Sequence, residues 1–125
     1  MSKNKILVVE DEPDVATYLQ TIFQDNGYEV IVAVDGVQAM EKARIEKPDL
    51  ITLDIVMPNQ TGISSYHDYK KDPDLKNIPI IVITAMGEPV ATFMHKMKTF
   101  GDPEGFMAKP IDKDELIKMV KSIIG

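Results

Sequence analysis

A chain of 125 residues fits one compact domain and leaves little for a second. Its apolar share of 44% and charged share of 27% are ordinary for globular proteins, no apolar run is long enough for a membrane-spanning helix, and the lack of cysteine removes disulfides, thiolate metal sites and cysteine nucleophiles. With a net charge of −6, a pI near 4.8 and scattered lysines, the chain offers no basic patch for nucleic acid or anionic membrane.

The N-terminus, Met1-Ser2-Lys3-Asn4-Lys5, does not have the pattern of a signal peptide and leads into an apolar run, Ile6-Leu7-Val8-Val9. That run predicts the first strand. Pro13 suits a first helical turn, Val15, Leu19, Ile22 and Phe23 make one apolar stripe, and Gly27 ends the helix. Glu29-Val30-Ile31-Val32-Ala33 follows as a second strand. Asp35 with Gln38 three residues on resembles a capping box opening a second helix, which Pro48 stops. Leu50-Ile51-Thr52-Leu53 is the third strand. The third helix, from about Gly62 to Pro73, has the weakest signal, because Ser64, Ser65 and His67 are modest helix formers. Ile80-Ile81-Val82-Ile83 is the fourth strand, and a fourth helix is expected between Pro89 and Gly101. Gly105-Phe106-Met107-Ala108 is a weaker fifth strand. In the last helix Asp112 is the N-cap, Glu115 occupies the third position, and Leu116, Met119, Val120 and Ile123 share a face.

Five βα units in strict alternation predict one open α/β domain over residues 1–125, with a parallel sheet covered by five helices on both faces. Five units are too few for an eight-stranded barrel. In such a sheet ligands bind beyond the carboxyl ends of the strands, where the strand order reverses. Strand 1 ends in Glu10-Asp11-Glu12, strand 3 in Asp54, strand 4 in Thr84 and strand 5 in Lys109-Pro110. Each has an ordinary explanation alone: solvated loop for the acidic run, a turn or cap for Asp54, strand chemistry for Thr84 and a surface amine for Lys109. Those explanations do not account for all four falling on one edge.

Carboxylates meeting there repel, so the site holds an abnormally protonated group or a cation. Oxygen ligands without His or Cys select Mg²⁺, Ca²⁺ or Mn²⁺, and Mg²⁺ characteristically pairs one or two carboxylates with phosphate oxygens. Lys109 supplies a second positive charge and Thr84 a hydroxyl donor around one anion-sized gap. Such a set suits phosphoryl transfer, with an Asp as the acceptor.

The stretches Ile6 to Glu12, Leu53 to Gly62 (with Asp54, Met57, Pro58 and Gly62 in an Asp-x-x-Met-Pro-x-x-x-Gly motif), Ile83-Thr84-Ala85 and Lys109-Pro110 resemble bacterial response-regulator receiver domains of two-component systems, over essentially the whole chain. The resemblance implies a flavodoxin-like fold with strand order 2-1-3-4-5. It implies that Asp54 is the phospho-acceptor, served by a sensor histidine kinase or phosphotransfer protein, and that the domain is a cytoplasmic signalling switch rather than an enzyme. Mg²⁺ would be held by Asp11, Asp54 and the Val56 carbonyl, with Glu10 acting through water. Lys109 would bind a phosphoryl oxygen, with Pro110 following a cis peptide. Thr84 and Phe106 would form the switch, signalling to a partner or output domain through the face made by the fourth helix, fifth strand and last helix. Glu10 departs from the Asp of many relatives, and the segment from Lys96 to Gly105 departs from their usual Gly-Ala pair.

Two other classes compete. An aspartyl phosphatase of the haloacid dehalogenase type would carry Asp-x-Asp after strand 1, where Val9-Glu10-Asp11 stands instead. A nucleotide or flavin binder needs a Gly-rich turn there. A receiver-like scaffold acting by binding alone is a further alternative. His67 and His95 have no metal-ligand spacing and carry no expected role.

Overall fold

The structure is a computed structural model that describes residues 4–54, 62–85 and 103–125, excluding the side chains of residues 62–65 and 84. The strands are β1 (Lys5–Val9), β2 (Glu29–Ala33), β3 (Leu50–Leu53), β4 (Ile80–Thr84) and β5 (Gly105–Ala108). All pair in parallel, in the order β2-β1-β3-β4-β5, as expected. The described helices are α1 (Pro13–Asp25), α2 (Gly36–Glu46), α3 (Gly62–Lys71) and a C-terminal helix (Lys113–Ile124). The fourth helix expected between Pro89 and Gly101 lies outside the described residues.

Period-two alternation splits the central strands between two cores. Leu7, Val9, Ile51, Leu53 and Val82 face α2 and α3, burying Ala39, Ala43, Tyr66 and Tyr69 with them. Ile6, Val8, Leu50, Ile81 and Ile83 face α1 and the C-terminal helix, against Leu19, Ile22, Phe23, Leu116 and Val120. Each fully buried aliphatic or aromatic side chain contributes about 1.5–3 kcal/mol through burial alone. β2 and β5 are the sheet edges and the less covered strands: Glu29 to Val32 keep some exposure, as do Gly105, Phe106 and Ala108. Lys42 donates to the Val32 carbonyl at 2.6 Å on that strand.

The helix ends follow their local chemistry. Gly27, at φ 88°, turns the chain out of α1, and Tyr28 returns to stack edge-on against Phe23. Asp35 accepts from the Gln38 backbone N–H at 2.7 Å, while the Gln38 side chain accepts from Val34 N–H rather than from the cap residue itself. α2 stops at Lys47, which takes a left-handed conformation directly before Pro48. Asp112 accepts from the N–H groups of Asp114 and Glu115, so the C-terminal helix begins where its sequence signal put it.

The chain steps outward from β1 to β2, then crosses back over β1 to β3. The order therefore reverses between β1 and β3, which opens a crevice at their carboxyl ends.

Candidate functional site

Val9 and Leu53 are register partners on β1 and β3, so Glu10 and Asp54 emerge side by side from the sheet. Backbone bonds hold both there: Glu10 N–H donates to the Ala33 carbonyl at 3.0 Å and Asp54 N–H to the Val9 carbonyl at 3.1 Å. The two residues are nearly inaccessible, at 1% and 4% exposure, which is unusual for carboxylates without a cation. Lys109, one residue beyond β5, supplies that charge. Its ammonium donates to Glu10 Oε1 at 3.0 Å and to Asp54 Oδ2 at 3.1 Å. The Lys109-Pro110 peptide bond is cis, as expected.

Burial raises the Glu10 carboxyl to a pKa of about 7; the Lys109 hydrogen bond opposes the rise and the Asp54 charge adds to it. Burial would lower the Lys109 ammonium, but its hydrogen bonds to Glu10 and Asp54 outweigh that and its pKa is raised. The expectation of an abnormally protonated group among clustered carboxylates thus falls on Glu10.

Asp11 completes the cluster from the half-exposed rim. One oxygen each from Glu10, Asp11 and Asp54 lie within 4.8 Å of one another. Three hard oxygen donors at that spacing fit a small divalent cation and do not fit a soft metal.

Thr84 ends β4 in register with Ala108, one residue before Lys109. Its side chain and the Val56 carbonyl lie outside what the structure describes. Phe106 is half-buried and packs against the core shared with α2 and α3. It also lines an open groove of about 700 Å³ between β5 and the C-terminal helix, with Met107 and Met119. A larger hollow, about 770 Å³ and lined in part by Lys5, Tyr28, Glu46 and Asp49, sits at the opposite end of the strands and touches none of this chemistry. Two features had no sequence signal. One is the direct Glu10–Lys109 bond. The other is a pair of buried hydroxyls without a hydrogen-bond partner among the described residues, Thr52 Oγ1 and the Tyr69 phenol.

Fold and crevice together define a flavodoxin-like domain that gathers acidic oxygens for a hard cation and sets one lysine against them. Comparison with known proteins makes this specific. The response regulator receiver domain model matches residues 6–121, and the chain belongs to that family, the receiver domains of two-component signalling. The alkaline phosphatase synthesis transcriptional regulatory protein PhoP of Bacillus subtilis is 37% identical over 120 residues, 96% of this chain and 48% of PhoP. Protein PilH of Pseudomonas aeruginosa is 29% identical over 120 residues and matches end to end, at 96% of this chain and 97% of PilH. The chain spans about half the length of several transcriptional regulators it matches. Among solved structures, the chemotaxis protein CheY4 of Vibrio cholerae superposes with a TM-score of 0.87 at 29% identity, covering 98% of this chain and 99% of CheY4. Among the described residues, no helix is long and apolar enough to cross a membrane.

Proposed function

We propose that residues 1–125 act as one phosphorylation-controlled switch, in which Asp54 takes a phosphoryl group from a phosphohistidine on a sensor kinase or phosphotransfer protein. The observation that carries this reading is the buried Asp54 carboxylate, 3.1 Å from the Lys109 ammonium and beside the oxygens of Glu10 and Asp11. An Asp54 oxygen attacks phosphorus, the P–N bond to imidazole breaks, and the departing ring keeps the bond's electron pair and is protonated from solvent. Hydrolysis of the resulting acyl phosphate by water returns the carboxylate and inorganic phosphate.

Mg²⁺, held by Asp11, Asp54 and the Val56 carbonyl, with Glu10 through water, would neutralise charge on the phosphoryl oxygens. Lys109 draws a second phosphoryl oxygen to its ammonium, and Thr84 donates its hydroxyl to a third. Asp54 then carries added negative charge and acceptor oxygens, and these select between two arrangements of the loops only as far as they interact differently with each. Phe106 follows Thr84 inward, and the face around β5 and the C-terminal helix passes the change to a downstream partner. The partners are thus a cytoplasmic phosphodonor and a protein or output domain, with no contact to nucleic acid or membrane. The chemistry assists the domain's own phosphorylation and turns over no outside substrate.

The test is intact mass after incubation with acetyl phosphate and Mg²⁺, beside an Asp54→Asn control. A Mg²⁺-dependent phosphoryl adduct absent from the control is expected. An unmodified wild-type protein, together with an NMR spectrum unmoved by beryllofluoride and Mg²⁺, would overturn the reading in favour of a binding scaffold.

A further inference from the structure

The first carboxylate of the crevice is a glutamate, and its extra methylene determines what it reaches. Glu10 Oε1 accepts from the Lys109 ammonium at 3.0 Å, and Oε2 accepts from the Glu12 backbone N–H at 3.3 Å. Both oxygens are therefore tied, inside a fold that leaves the residue 1% exposed. Lys109 in turn divides its donors between Glu10 and Asp54.

From these contacts we propose that Glu10 is a positioning residue for Lys109, bracing the ammonium against Asp54 before any phosphoryl group arrives. This deepens the acceptor reading of Asp54 and rests on it. A lysine side chain loses much rotamer freedom when its tip is fixed. One contact, to Asp54, sets a distance but leaves the ammonium able to swing about that oxygen. The second contact removes the swing, and the Glu12 N–H keeps the brace in one rotamer. Asp11, half-exposed and bonded to neither partner among the described contacts, stays available to a cation. An aspartate at position 10 would retract the carboxylate by roughly one carbon–carbon bond, about 1.5 Å. Its oxygen would then stand beyond hydrogen-bond reach of Lys109. Glutamine keeps the length and one acceptor oxygen.

The experiment uses lysine-labelled protein without divalent cation, reading side-chain relaxation of Lys109 in wild type, Glu10→Asp and Glu10→Gln. The Lys109 tip should be ordered in wild type, largely ordered in Glu10→Gln and averaged in Glu10→Asp. At saturating Mg²⁺, the acetyl phosphate rate of Glu10→Asp should fall about tenfold, as expected when a charge-stabilising group loses its position. Glu10→Gln should recover part of that rate. Should Glu10→Asp not give a folded spectrum, Glu10→Ala is read in the same way. A Lys109 tip equally ordered in all variants, or a rate loss that higher Mg²⁺ abolishes, overturns the brace and leaves Glu10 acting through the cation alone. The relaxation comparison decides the brace even if wild type forms no adduct, which would instead remove the acceptor reading.

Discussion

Glu10 and Asp54 stand one residue beyond the registered pair Val9 and Leu53, so two carboxylates are buried side by side on neighbouring strands. Their juxtaposition is costly, and the protein offsets it with one lysine and one proton-binding site near neutrality.

The proton gives a pH signature. Burial, with the Asp54 charge adding and Lys109 opposing, moves Glu10 from an ordinary 4.5 to about 7. Between those values the folded chain binds more protons at this site than the unfolded chain. The stabilisation by the protonated form is complete below about 4.5 and is lost as pH rises through about 7, amounting to at most about 3 kcal/mol. Urea denaturation without divalent cation, from pH 5 to 8 (about the range of Glu10 titration), should give wild type a falling contribution that Glu10→Gln lacks. Parallel profiles for the two proteins would contradict the assignment.

Lys109 carries the other half of the compensation. Lys109→Met leaves Glu10 and Asp54 facing each other without a cation, and isolated buried charges are strongly destabilising. Because Glu10 can take up a proton, the loss should be moderate, about 1–3 kcal/mol at pH 8 and smaller at pH 5.5. Millimolar Mg²⁺ should restore part of it. Equal stability of the two proteins at the higher pH in a chelator would refute this account.

The sheet was legible in the chain because Ile6 to Val9, Leu50 to Leu53 and Ile80 to Ile83 are buried on both faces and need no polar alternation. β2 was legible for a different reason, its β-branched run; its edge position follows from the strand order that the resemblance implies and not from the run itself. The third helix, expected from about Gly62 to Pro73 and found over Gly62–Lys71, has the weakest signal because its described buried positions, Tyr66 and Tyr69, are aromatic rather than leucine, so the stripe is short and the serines dilute it. In the crevice, Asp11, Asp54 and Lys109 were legible because strand ends position them. The reach of Glu10 to Lys109 was not, since it depends on side-chain length across two strands that are not neighbours. Thr84 and Val56 remain assigned by pattern.

A third prediction concerns β5, the strand that leads to Lys109. A Cβ on Gly105 would lie 2.5 Å from Met119 Sδ and 3.1 Å from Ile81 Cγ1. The thioether is flexible and can yield, while the β4 side chain beneath it has less room. Gly105→Ala should therefore cost about 1–2 kcal/mol, as small overpacking usually does. Combined with Met119→Ala, the double variant should be more stable than the sum of the single losses. Strict additivity in a denaturation cycle would locate the strain at Ile81 instead.

The lysine that joins the carboxylates comes from a point 99 residues after Glu10 and 55 after Asp54. No single hairpin or βα unit contains the arrangement; it exists only once the last strand has docked. A nascent, truncated or misfolded chain therefore lacks the complete set of charges, and the receptor for the proposed phosphoryl signal is assembled only when the last strand docks.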